Sequence, residues 1–533
     1  MNRHLILALS VLAAACAQAA PPAERWIYSQ TNLMVDQNCD DLIALMKRGK
    51  AAGYNAVLVS DSKFGRLATL GDNYFDNARR VKAAAEEIGI AIVPAVCPIG
   101  YSNELLFNDP NLIEGPPVKD ALFEVRGGIA RHLPDPAVAL KGGDMAALSA
   151  WDWKDDSVTA DGGAAKAMPA GGNARLVQKL KLTPFRQYHI AVRVKTRDFT
   201  GEPEVKLLAE GGRSLNHASL GVKRTQDWAE HHVVFNSLEH AEANLYLGSW
   251  GGTGELWWDD ATLEEIALVN LIRRPGAPLR IQIEGGRDLV EGHDFAHLAD
   301  PLTGVKPWPG EYESYHQPPA IQLKGVADGT RLRVSYYHAI TVGEGQAMAC
   351  PSEPGTDRSA ARPGAADARA VGARGYMMSH DEVRVLNWCD ACQRQKRTPD
   401  QILAENVKQC AAIWREVNPG GTLYVWSDMF DPHHNAVAGP TLVNGDLRGA
   451  WEGLDKDIVI LPWNFGTRAE SLEFFAGRGH RQLIAGYYDA DPAKLRDWLK
   501  AAEPHGGSVI GVMHTTWRKD YSNLETFAEM WGR

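Results

Sequence analysis

The chain begins and ends in one rhythm and loses it in between, and that interruption limits the folds open to it. Strand-like Trp26–Val35 is followed by helical spacing over Asp40–Ala52, with Leu42, Ile43, Leu45 and Met46 as its apolar positions. Gly53 stops that helix, and 55–60 (Asn-Ala-Val-Leu-Val-Ser) is the next strand. A second amphipathic helix over Tyr74–Ile88 stops at Gly89, and Ile90–Val96 is a third strand. Strands and helices alternating at this spacing predict parallel βα units.

From about Met145 to Ile266 the helical signal is absent. Short alternating strands replace it at 174–182, 187–195, 204–208, 231–235, 243–247 and 254–258, the pattern of a β-sandwich. Residues 267–330 are rich in Pro and Gly and read as a β-rich connector. Leu332–His338 is a further strand, assigned to the insertion, and Ala360–Ala373 a helix rich in Ala and Gly. The βα rhythm then resumes. Strands start at Tyr376, Thr422, Asp457, Gln482 and Ser508, and helices cover 399–417, 470–478 and 492–503, the first with Thr398 as N-cap and Pro399 at its first position. With the strands at Trp26, Asn55 and Ile90 this makes eight. The expected fold is α/β, a (β/α)8 TIM barrel interrupted by an inserted β-sandwich domain. The expected division is 1–19 leader, 25–140 first part of the barrel, 145–266 sandwich, 267–330 connector and 331–533 remainder of the barrel.

The leader is read from Asn2-Arg3-His4, the apolar run Leu5–Cys16 and Ala17-Gln18-Ala19, an A-x-A site with cleavage after Ala19. Export to the periplasm or medium is expected, with a lipoprotein anchored through Cys16 as the alternative. The rest of the chain has no apolar stretch long enough to span a bilayer. A formal net charge of −10 argues against nucleic acid and anionic membrane as partners. Cys389-Asp390-Ala391-Cys392 is a CxxC without a second pair at matching spacing, so it is read as a local disulfide or two thiols, with no metal and no cofactor assigned.

Chemistry concentrates at the ends of the later strands. Gly375–Glu382 is an apolar strand that stops at His380-Asp381-Glu382. Two adjacent acids at the carboxyl end of a barrel strand repel, which raises one pKa and holds a proton at neutral pH, as glycosidic cleavage requires. The other strand ends supply Trp426-Ser427-Asp428, Trp463-Asn464, Tyr487-Tyr488-Asp489 and Thr516-Trp517. Trp walls around carboxylates suit a pyranose ring, so a poly- or oligosaccharide is the expected partner. His338, His380, His433-His434 and His514 also lie near strand ends; no ligand spacing is diagnostic, so they are read as hydrogen-bonding groups.

These motifs resemble glycoside hydrolase family 20, the β-N-acetylhexosaminidases. Residues 90–102 are similar to that family's third-strand motif, Asp381-Glu382 to its fourth-strand pair, Trp426-Ser427-Asp428 to its Trp-acid pair and Tyr487-Tyr488-Asp489 to its Tyr-x-Asp. Trp463 and Trp517 fall where the family places Trp walls. The resemblance implies a substrate-assisted reaction. In it Glu382 is the general acid/base, Asp381 holds the acetamido N–H and Tyr487 bonds its oxygen; His380, Trp426, Asp428, Trp463, Asn464, Asp489 and Trp517 bind substrate. The sequence departs where Ala95 replaces the strand-three acid, Tyr101 replaces a His, and His380 directly precedes Asp381. Separately, 254–264 resembles the last strand of CenC-type carbohydrate-binding modules, which implies that Trp250, Trp257 and Trp258 stack on sugar; as core and rim aromatics of a purely structural sandwich they need no ligand. Two alternatives stand beside this reading: a two-carboxylate glycosidase using Asp428 or Asp489, and a non-catalytic carbohydrate-binding protein.

Overall fold

A computed structural model describes residues 23–216, 218–343, 345–356, 374–487 and 489–531. The expected leader with Cys16, the helix over Ala360–Ala373 and Tyr488 lie outside them. Eight parallel strands form one sheet: β1 (Glu24–Gln30), β2 (Ala56–Ser60), β3 (Ala91–Pro94), β4 (Gly375–Met377), β5 (Thr422–Trp426), β6 (Val459–Leu461), β7 (Gln482–Ala485) and β8 (Val509–His514). They are ordered β4-β5-β6-β7-β8-β1-β2-β3. A parallel bridge between Ala95 and Met377, with Val96 N–H donating to the Met377 carbonyl at 2.6 Å, joins the two ends into a barrel. The eight expected strands are the eight observed.

Side chains alternate along each strand. Trp26 and Tyr28 fill the lumen with Leu58, Met377, Leu461 and Met513, whereas Ile27, Val57, Ile484 and Val512 face outward under the helices. The outer layer includes α1 (Asp36–Ala51), α2 (Asp72–Ile88), α3 (Pro399–Val417), α4 (Arg468–Gly477) and α5 (Lys494–Ala502). Gly89 ends α2 at φ 73°, its N–H returning to the Ala85 carbonyl. At the start of α3 the Gln401 side chain accepts from the Thr398 N–H at 3.2 Å. Among the described residues no helix is long and apolar enough to cross a membrane.

The insertion leaves after β3 and returns before β4. A five-stranded antiparallel sheet (Val158–Asp161, Ala164–Ala167, Gln187–Thr200, Gln226–Asn236, Thr253–Ile266) faces a four-stranded one (Trp153–Lys154, Ala174–Lys181, Pro203–Ala209, Glu242–Ser249). A third sheet pairs Pro117–Arg126 with Arg331–His338 and takes in Ile129–His132, Leu271–Ile272, Arg280–Ile283 and Ile321–Gln322. Residues 117–132, expected within the first part of the barrel, therefore meet 331–338, a strand assigned to the insertion, in this sheet. Their antiparallel partners satisfy backbone groups that a parallel barrel strand would have offered to its neighbours. Trp258 is fully buried in the sandwich core, so of its two readings it takes that of a core aromatic. Trp257 donates its indole N–H to Asp161 at 2.9 Å beside Lys166, and Lys206 sits 4.0 Å over the ring of Trp250.

Candidate active site

A cavity of about 550 Å³ opens at the carboxyl ends of the barrel strands, within the usual range for small-molecule sites. Its floor and walls are aromatic. Tyr28 meets Trp517 edge-on at 4.7 Å and Trp426 at 6.1 Å, and Trp463 closes another side. Ser379, Asp381 and Glu382 line the same space, with Gln30, Ser60, Asp61 and Tyr101.

The two acids share one cavity because the chain turns sharply after β4. Ser379, His380 and Glu382 all have left-handed backbones, at φ 49°, 61° and 47°. Such conformations are costly for residues with a Cβ and persist where surrounding contacts hold them. Here the Glu382 N–H donates to Asp428 Oδ2 at 2.8 Å, and Gln346 Nε2 donates to both the Glu382 and Gly100 carbonyls at 2.9 Å. Gly100 has φ 104°, and a Cβ built there would lie 1.9 Å from the Asp381 carbonyl oxygen. Only glycine permits that approach.

Glu382 Oε2 accepts from the Tyr101 hydroxyl and pairs with Arg384 Nη2 at 2.8 Å. Asp381 is pushed well above the ordinary carboxylate range, chiefly by burial and next by the negative charges of Asp428 and Glu382. Asp428 is raised as well, again mainly by burial.

The expected site residues divide. Asp381, Glu382, Trp426, Trp463 and Trp517 line the cavity. Asp428 is fully buried beneath it, also accepting from Asn435 Nδ2 at 2.9 Å and Trp463 Nε1 at 3.4 Å, and so anchors the Glu382 backbone. Asp489 accepts from Thr516 Oγ1 at 2.5 Å and from the Trp517 and Arg518 N–H groups at 2.6 and 3.2 Å, holding the Trp517 turn. Asn464 accepts from the Gly466 N–H at 2.9 Å in a helical turn beside a smaller neighbouring pocket.

Two expectations are corrected. Tyr487 lies past the end of its strand at Ala485, stacked on His514 at 4.5 Å, and lines the smaller neighbouring pocket instead of the cavity. His380 is fully buried, its Nδ1 against the Met378 carbonyl and its Nε2 3.0 Å from Asn406 Oδ1 on α3, so it supports the turn instead of facing the cavity. His338 and His514 are likewise buried. Sequence reasoning named Tyr101 only as a departure from a motif; its reach to Glu382 comes from the loop after β3. The cavity positions of Tyr28, Gln30 and Ser60 were signalled only by lumen parity and polar strand ends. Elsewhere, Cys389 and Cys392 lie beside Cys350 and Glu114, a grouping invisible to CxxC spacing.

No family model matches the chain, and no curated protein sequence does. Among solved structures, a β-N-acetylhexosaminidase crystal structure aligns over 97% of this chain and 72% of its own at 9% identity, TM-score 0.41. A glycoside hydrolase family 20 β-N-acetylglucosaminidase aligns over 96% of this chain and 69% of its own at 10% identity, TM-score 0.37. A rhamnosidase from Novosphingobium sp. PP1Y aligns over 97% of this chain at 11% identity, TM-score 0.37, and the chain spans 59% of that protein's length.

Proposed function

We propose that the chain is an exported glycoside hydrolase that cleaves a glycosidic bond in the barrel cavity, with Glu382 as general acid/base and Asp381 assisting. One observation carries this reading: both carboxylates open onto a single sugar-sized cavity walled by Trp426, Trp463 and Trp517. Flat indole faces suit the apolar face of a pyranose, and acids beside them serve the exocyclic oxygen. A poly- or oligosaccharide is the proposed substrate. The acetamido-assisted variant loses its expected tyrosine, since Tyr487 does not line the cavity.

A second assignment of roles is favoured by the electrostatics. Arg384 pairs with Glu382, while burial and neighbouring negative charge favour the protonated form of Asp381. In that assignment Asp381 protonates the leaving oxygen and Glu382 is the base.

The test is a screen of aryl glycosides with and without a 2-acetamido group, followed by variants on the best substrate. Loss of the general acid costs roughly 10²–10⁴-fold with poor leaving groups and much less with activated ones. Glu382→Gln showing that pattern assigns the acid to Glu382; Asp381→Asn showing it assigns Asp381. Inhibition by a thiazoline mimic restores the acetamido-assisted variant. The proposal fails when no glycoside is turned over, or when both variants keep the wild-type rate.

A further inference from the structure

Glu114, Cys350, Cys389 and Cys392 are each fully buried, and one ligand atom from each lies within 4.8 Å of the others. They come from three separate stretches. Glu114 lies on the chain leaving the barrel after β3, Cys350 on the chain coming back, and the CxxC just beyond the Asp381–Glu382 turn. The Cys350 sulfur is 3.4 Å from that of Cys389 and 3.6 Å from that of Cys392, and Cys392 Sγ is 3.7 Å from Glu114 Oε2.

Those separations match the edges of one coordination polyhedron. A tetrahedral zinc with Zn–S about 2.3 Å and Zn–O about 2.0 Å spaces two sulfurs by about 3.8 Å, and a sulfur and an oxygen by about 3.5 Å. The carboxylate is aimed as well. Glu114 Oε1 accepts the Trp388 and Cys389 N–H groups at 2.7 and 2.8 Å, which turns Oε2 toward the thiols. A disulfide between any two cysteines would leave the third thiol buried beside Glu114 Oε2.

We propose that Cys350, Cys389, Cys392 and Glu114 bind one zinc ion as a closed structural site. Three thiolates and a carboxylate fill four positions, leaving none for substrate, which separates this site from the cavity. Arg274, 3.9 Å from Glu114, offsets part of the residual negative charge. The outgoing and returning chains already pair here: Cys350 N–H donates to the Leu112 carbonyl and Glu114 N–H to the Met348 carbonyl, both at 2.7 Å. Zinc would fasten that neck to the segment that follows the catalytic turn.

The experiment uses the full exported chain, isolated under inert gas without chelator. Elemental analysis should find about one zinc per chain. After chelation, Co²⁺ should restore a thiolate-to-cobalt charge-transfer absorption in the near ultraviolet. Cys350→Ser and Cys392→Ser should each retain under a tenth of the metal, and Glu114→Gln should bind it about 10–100-fold more weakly. Cys39→Ser, on α1 with its thiol facing the Leu33 carbonyl, should keep a full equivalent. Should the cysteine variants fail to fold, the cobalt spectrum of the wild type decides. A wild type that takes up neither Zn²⁺ nor Co²⁺, a cobalt form without the thiolate band, or a disulfide mapped between any two of the three cysteines overturns the proposal.

Discussion

Tyr101 reaches Glu382 from the loop after β3, and its hydroxyl bonds the same carboxylate oxygen that Arg384 pairs with. A hydrogen bond to a charged group contributes about 1.5–3 kcal/mol. Tyr101 is exposed, which places it at the low end, so Tyr101→Phe should lower kcat/KM about tenfold on a glycoside found by the screen. Tyr487→Phe should leave kcat/KM within about twofold, because that ring stacks on His514 away from the cavity. Steady-state kinetics on the two variants side by side checks both statements. If Tyr487→Phe is the damaging one, the corrected placement of Tyr487 is wrong. The contrast also shows what residue order conveys. Asp381 and Glu382 were legible because an apolar strand ends in them. Tyr487 was placed at the site only by its likeness to a Tyr-x-Asp motif, and the strand that carries it ends at Ala485, before that ring.

At the level of elements, the eight barrel strands were readable because each is an apolar run closed by polar residues at regular spacing. The third sheet was not. Its members come from either side of the sandwich, and no local signal in 117–132 says that its partner is 331–338. Pairing across so long a separation is fixed by register and burial, which appear only once the chain is folded. The same holds for the loop–loop contact that shapes the site. Gly100 was unremarkable in sequence, yet its Cα lies against the Asp381 carbonyl. Gly100→Ala should therefore push the acidic turn aside and cut turnover about a hundredfold, the usual penalty for displacing a catalytic group by an ångström. Gly53→Ala is the control. Its φ of 96° makes it strained too, but the nearest atom to its added Cβ is Arg25 Nη1 at 3.7 Å, far from the cavity. It should lose stability in urea while keeping activity. Equal activity losses in the two variants would show that strain alone, not the contact with Asp381, is responsible.

For the whole molecule, acid stability follows from its buried histidines. Burial lowers His338, His380 and His514 to about 4 each, so all three are neutral in the folded chain. Unfolded, they take up protons below about pH 6.5. At these three positions the unfolded state therefore binds more protons between about pH 6.5 and 4, and their contribution to stability falls as pH falls through that window. Asp381 and Asp428, raised by burial, oppose this trend, so the test is a difference: the stability gap in urea between the wild type and His338→Gln should shrink as pH falls from about 7 to about 4.5, and a gap independent of pH contradicts the buried, neutral state of that ring. The interruption of the barrel has a further consequence, for the order of events as the chain acquires its shape. β3 and β4 are neighbours in the ring, but residues 95–374 lie between them. As an unstructured loop that stretch would charge the closing step its full configurational entropy; once the insertion has collapsed and its two ends pair at Ile113 and Ala349, the gap is short. The first three strands, synthesised first, have open edges until the strands that follow the insertion reach them.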